Sequence, residues 1–156
     1  MLALARDAGY PVRLSVEIKA RKLERTLPLH EFADLVVQSV REFGMDDRTI
    51  VQSYHPQALT AVRDLEPDIR RAILVRSPGR YDEAVEESDA TILSPKHTTL
   101  SEEDVRRFQQ RGIAVIPWTV NKPAAIDRMI EWGVDGIISD YPDRVLDALG
   151  ESGSAD

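Results

Sequence analysis

The chain has 156 residues, 42% apolar and 30% charged, which suits one soluble domain with a sizeable core. Its 27 acidic and 20 basic residues give a net charge of −7, which argues against a general nucleic-acid or anionic-membrane binder and leaves room only for a local cationic site. The absence of cysteine excludes disulfides, thiolate metal sites and thiol catalysis, and no apolar run approaches the ~20 residues of a membrane span.

The opening MLALARDAGYP is too short and, at Arg6 and Asp7, too charged for a signal peptide, so the chain as it stands is expected in the cytoplasm. It reads as the last turns of a helix ended by Gly9 and Pro11, and the lack of any cap before Leu2 predicts a chain that starts inside an element. From Val12 onward, apolar β-branched runs at 12–18, 48–54, 70–75, 90–94, 113–120 and 134–139 predict six strands. Helical spacing fills the intervals. The stretch 29–44 carries a stripe of Phe32, Leu35, Val36, Ser39, Val40 and Phe43 before Gly44, and 55–67 sets Leu59, Val62 and Leu65 on one face. A short helix is expected at 81–87. Another, over 99–112, is opened by a capping pattern at Ser101, and 121–133 has Pro123 in its first turn. A final helix is expected over 141–150, and ESGSAD, 151–156, reads as a disordered tail.

Strands alternating with helices in units of roughly 25 residues imply a parallel sheet, either doubly wound or a (β/α) barrel. The strands end in Glu17 and Lys19, Ser53 and His55, Arg76, Ser94 and Lys96, Trp118 and Asn121, and Asp140. A barrel gathers such ends at one mouth, and no Gly-rich fingerprint follows the first strand. The expected fold class is therefore α/β, a TIM-type parallel (β/α) barrel over residues 1–150, incomplete, with about six of eight strands. Six strands do not close, so two edges stay open. That favours self-association through the sheet edges and predicts poor solubility.

Glu17 and Lys19, at i and i+2 on a strand, share a face. A carboxylate there can hold Mg²⁺ or Ca²⁺ and an ammonium can meet a phosphate oxygen; an exposed ion pair worth ~0–1 kcal/mol fits the spacing equally well. Trp118 fits a pocket wall, and on residue type alone fits core filler better. In GVDGIISDYPD (133–143), Gly133 and Gly136 suit a tight turn, and Asp140 suits a helix N-cap. His30, His55 and His97 lack metal-ligand spacing, and no G-x-S-x-G elbow is present.

Taken together and in order, VEIK (16–19), VIPWTVN (115–121) and GVDGIISDYPD (133–143) resemble the glycerophosphodiester phosphodiesterase family, with VQSYHPQAL (51–59) similar to its Ser-Phe strand end. The resemblance runs from about Leu2 to Leu149. It implies a (β/α)₈ barrel that hydrolyses glycerophosphodiesters to glycerol 3-phosphate and an alcohol with a divalent cation, Mg²⁺ or Ca²⁺. It also implies Glu17 as a metal ligand, Lys19 as a phosphate contact and Trp118 as a wall of the glycerol pocket. The family's acid–base histidines, in His-Arg-Gly and His-Asp motifs, and its Glu-x-Asp ligands have no counterpart in this sequence. The resemblance therefore implies a truncated, poorly active or inactive form. The alternative is a non-catalytic partial barrel that binds phosphate ligands or oligomerises.

Overall fold

A computed structural model describes residues 2–8, 12–19 and 27–150. The expected terminators Gly9 and Pro11 and the expected tail 151–156 lie outside the described residues. Among these, five regular strands follow one another in sheet order, β1 (Leu14–Glu17), β2 (Thr49–Ser53), β3 (Arg70–Val75), β4 (Ile92–Pro95) and β5 (Ala114–Val115). Helices alternate with them: α1 (Leu2–Arg6), α2 (Leu29–Glu42), α3 (Pro56–Leu65), α4 (Tyr81–Ser88), α5 (Glu102–Gln110), α6 (Pro123–Glu131) and α7 (Pro142–Ala148). β1 pairs β2, and β2 pairs β3, both parallel. The expected parallel α/β class is thus what the chain forms.

The chain divides into two compact units, Met1–Leu74 with Asp82–Ile92, and Val75–Tyr81 with Leu93–Asp156. In the first unit, α2 buries Ala33, Val37 and Val40, with Met45 beyond the helix end. This corrects the predicted stripe: Leu35 is 52% exposed and Ser39 faces out, its hydroxyl bonded back to the Leu35 carbonyl at 2.7 Å. The buried face runs through Ala33, Val37 and Val40, so it lies rotated from the predicted stripe and shares only Val40 with it. On α3, Leu59 and Val62 are buried as expected, while Leu65 remains 37% exposed. Arg71 is buried at the start of β3, and its guanidinium donates to the carbonyls of Pro67, Ile69 and Asp89. It thereby ties down the turn where Asp89 adopts a φ of 48°.

In the second unit the capping pattern at the start of α5 is realised in full. The Ser101 hydroxyl accepts from the Asp104 N–H, and the Asp104 carboxylate accepts from the Ser101 N–H. Gly133 closes α6 with a φ of 69°, as the sequence predicts. Gly136 does not have a positive φ, and an added Cβ would meet Ile116 only at ordinary contact distance, so the expected turn role does not apply to it.

Two prolines shape the strand ends of this unit. β4 and the segment after β5 bond through Ile116 N–H to Leu93 O, Trp118 N–H to Pro95 O and His97 N–H to Trp118 O. The Ile116 carbonyl would next take the N–H of residue 95, but proline has none. The Ser94 hydroxyl donates to it instead, at 2.7 Å. Ser94→Ala leaves that carbonyl without its donor and is expected to cost about 1–3 kcal/mol, read as a lowered midpoint in urea denaturation. Pro117 acts in the same way on the predicted sixth strand. Residues 134–139 lie along 115–120 through Asp135 N–H to Val115 O, Ile138 N–H to Pro117 O, and Val120 N–H to Ile138 O. Pro117 cannot donate between these bonds, so the expected strand is present as an irregular ladder and not as a regular one.

Candidate functional site

In the first unit the functional candidates hang on the end of β1. Glu17 stands in register with Gln52, and the Ile18 N–H donates to the Gln52 carbonyl at 2.9 Å. The Ile18 carbonyl accepts from the buried Ser53 hydroxyl at 2.8 Å, and the Ser53 Oγ in turn accepts from the His55 N–H at 3.1 Å. Ser53 is thereby a fastener of the β1 end onto β2 and not a nucleophile. Ile18 is 1% exposed, so the alternation turns Glu17 and Lys19 together to the opposite face. Their charged atoms are 3.7 Å apart, as the i, i+2 spacing predicts, with the Lys19 side chain 66% exposed and that of Glu17 28% exposed. At that exposure the pair adds little stability of its own. His30 is exposed, and His55 occupies the N-cap position of α3 without a side-chain cap.

Among the described residues no group of three or more His, Asp or Glu side chains is placed to hold a metal ion. Glu17 has an ammonium beside it where a hard cation would need further oxygens. Among the described residues Glu17 is thus a single carboxylate beside an ammonium and not part of a cluster of oxygen ligands.

In the second unit the centre is Trp118. It is half-buried, so it is not a core filler of the fully buried kind. Its indole N–H donates to the Ser94 carbonyl at 2.8 Å, and the Arg76 guanidinium lies 5.2 Å from the ring centroid. Lys96 pairs with Trp118 in a parallel bridge, and the Lys96 N–H donates to the Val75 carbonyl, so the ends of three neighbouring strands sit side by side. Beyond Trp118, Asn121 is the hub of a network. Its amide donates to the Asp140 carboxylate at 2.8 Å, and its side-chain oxygen accepts from the Asp140 N–H and the Ser139 hydroxyl. The Arg144 guanidinium donates to the Asn121 carbonyl. Asp140 therefore does not cap α7, where Tyr141 holds the N-cap position without a side-chain bond. The sequence singled out the two motifs separately; the structure shows that Asn121 and Asp140 bind one to the other.

Residue patterning did not single out Lys122 and Arg128 as candidates, although both act on His97. Burial first, then the positive charges of Arg128, Lys96 and Lys122, hold the His97 pKa below its ordinary value. The His97 Nδ1 is buried without a hydrogen-bond partner among the described residues.

Parallel strands with crossover helices, and charged or aromatic side chains at their C-terminal ends, define the (β/α)-barrel class of site. The sequence pattern of the glycerophosphoryl diester phosphodiesterase family matches residues 3–144, and the chain belongs to that family. It is 32% identical over 101 residues to a glycerophosphodiester phosphodiesterase of Bacillus subtilis, covering 62% of this chain and 34% of that one. A glycerophosphodiester phosphodiesterase of Caldanaerobacter subterraneus is 26% identical over 122 residues, covering 76% and 49%. Among solved structures, an Oleispira antarctica phosphodiesterase in complex with the product sn-glycerol-3-phosphate superposes with a TM-score of 0.76 at 23% identity, over 88% of this chain and 55% of that one. The likeness supports the incomplete barrel expected from the strand count. The chain spans about half, or less, of the length of these relatives. No helix among the described residues is long and apolar enough to cross a membrane.

Proposed function

We propose that this chain carries ligand-binding groups of metal-dependent glycerophosphodiester hydrolysis, the reaction giving glycerol 3-phosphate and an alcohol, without the acid–base pair that performs it. The observation that carries the reading is the paired presentation of Glu17 and Lys19 on one face at the end of β1, in a chain of this family. Lys19 contacts a phosphate oxygen as a point charge, and its exposure leaves the ammonium free to reach one. Trp118 offers an indole face to the glycerol carbons. Glu17 serves as one ligand of a Mg²⁺ or Ca²⁺ ion whose other ligands lie outside the described residues; when bound, such an ion offsets phosphate charge. No His-Arg-Gly or His-Asp motif occurs in the sequence, and its Glu-x-Asp triplets, at 66–68, 87–89 and 102–104, lie on no strand, so the chain is proposed to bind and not to turn over. The substrate is a glycerophosphodiester, and neither nucleic acid nor membrane figures in the reading.

Calorimetric titration of glycerol 3-phosphate tests the phosphate contact. The chain is expected to bind it, and Lys19→Met to weaken binding by about tenfold, the size of a lost charge-assisted hydrogen bond. Equal affinity in the two proteins would remove Lys19 from the ligand.

A further inference from the structure

We propose that the outer edge of β1, in the first unit, is a self-docking surface. Two copies of this chain pair there antiparallel about a two-fold axis, with Glu17 of each opposite Arg13 of the other. The inference stands apart from the ligand reading above. Among the described residues β1 is paired on one side only, to β2. One bond fixes which way its backbone groups point. The Ile18 N–H donates to the Gln52 carbonyl, so residues 14, 16 and 18 turn their N–H and C=O groups toward β2. Alternation turns those of Arg13, Ser15 and Glu17 outward, where they make a template for another strand. Burial alternates in step. Arg13, Ser15 and Lys19 are exposed, Val12, Leu14 and Val16 are half-buried, and Ile18 is buried. A strand laid on this edge thus extends an apolar face on one side and a charged face on the other. The two most exposed leucines, Leu4 at 79% and Leu35 at 52%, lie on α1 and α2, the helices that precede and follow β1 in the chain.

Charge selects both the occupant and the register. A strand edge that meets its own copy about a two-fold axis does so antiparallel. With Ser15 on the axis, Arg13 stands opposite the partner's Glu17, and the symmetry repeats the pair. Leu14 then meets the partner's Val16, and Val12 the partner's Ile18, so apolar side chains face one another as well. The other registers that overlap β1 with its copy do worse. Centring on Val16 sets Arg13 opposite the partner's Lys19, and centring on Glu17 sets two carboxylates face to face; like charges directly opposite are destabilising. Centring on Leu14 leaves both charges without an opposite. Arg13 is exposed and forms no ion pair among the described residues, and Glu17 is paired only to Lys19, at 3.7 Å. Both are available to the partner.

The test is sedimentation of the whole chain without divalent cations, since an ion at Glu17 would compete with the partner's guanidinium. A reversible dimer of twice the chain's 17.5 kDa is expected. Its Kd is expected at about 10–100 μM. Arg13→Glu and Glu17→Arg each set like charges opposite twice, and each is expected to weaken the dimer by about tenfold or more. Mixing these two variants restores opposite charges at both places, so a heterodimer of wild-type strength is expected. Ser15→Cys is a second, conservative probe in a chain with no cysteine of its own. Directly opposite residues lie within disulfide reach, so mild oxidation of Ser15→Cys is expected to give a covalent dimer, and of Val16→Cys to give none. A chain still monomeric at about 1 mM leaves the edge to some other strand and overturns the proposal. So does a dimer that both charge variants leave unchanged, or one that cross-links through residue 16 and not through residue 15.

Discussion

Trp118→Ala is expected to abolish the preference for glycerol 3-phosphate over inorganic phosphate. Laying a three-carbon glycerol against one indole face covers about half of each carbon, and at ~0.8 kcal/mol per fully buried CH₂ this amounts to about 1.2 kcal/mol, a little under tenfold in affinity. The ring is well placed for such a role. Its N–H is anchored on the Ser94 carbonyl and one side faces the Arg76 guanidinium, so little orientation is lost when a ligand arrives. Trp118→Phe keeps an aromatic face but loses the anchor, and is expected to retain most of the preference at a stability cost of about 1 kcal/mol. Paired calorimetric titrations with the two ligands read the result directly. An undiminished preference in Trp118→Ala would place the glycerol elsewhere.

Phe108→Ala is expected to cost about 3–5 kcal/mol, a large share of a domain's stability. Phe108 is fully buried on α5 and meets the buried Tyr81 edge to face, with ring centroids 6.2 Å apart and planes at 75°. The Arg107 and Arg111 guanidinium groups lie 4.6 Å and 5.0 Å from its ring centroid. The side chain therefore links a solvated face to the interior, and truncation leaves a cavity against Tyr81. Tyr81 is itself tied through its hydroxyl to Thr99, so it cannot simply swing in to fill the space. Urea denaturation measures the loss, and Phe108→Leu, which keeps most of the volume, should lose far less. A cost below about 1 kcal/mol for Phe108→Ala would show that α5 is not held by this contact.

Much of the fold was legible because it rests on periodicity and punctuation. Gly44, Gly112 and Gly133 end their helices with positive φ where the apolar runs stop, and Ser101 opens α5 through reciprocal bonds with Asp104. What escaped depends on groups distant in sequence. The buried face of α2 does not follow from residue size within the helix, because size does not show which side meets the opposing surface; Ala33 and Val37 are buried where Leu35 is not. The sixth strand is irregular because Pro117 withholds a donor from a partner some 20 residues away. In the site, Glu17 and Lys19 could be read from strand alternation alone. The bond between Asn121 and Asp140 could not, since each residue has a plausible local role by itself.

The central claim is binding without turnover, and one ³¹P NMR measurement addresses both halves. The chain is mixed with glycerophosphocholine and Mg²⁺ or Ca²⁺, with a full-length family member run in parallel. The account predicts that the diester signal shifts or broadens with added protein, while the glycerol 3-phosphate signal grows at least about 10⁴-fold more slowly than with the full-length enzyme, as expected when both acid–base histidines are missing. A monoester signal growing at a comparable rate, or a diester signal that the protein leaves unchanged, would contradict it.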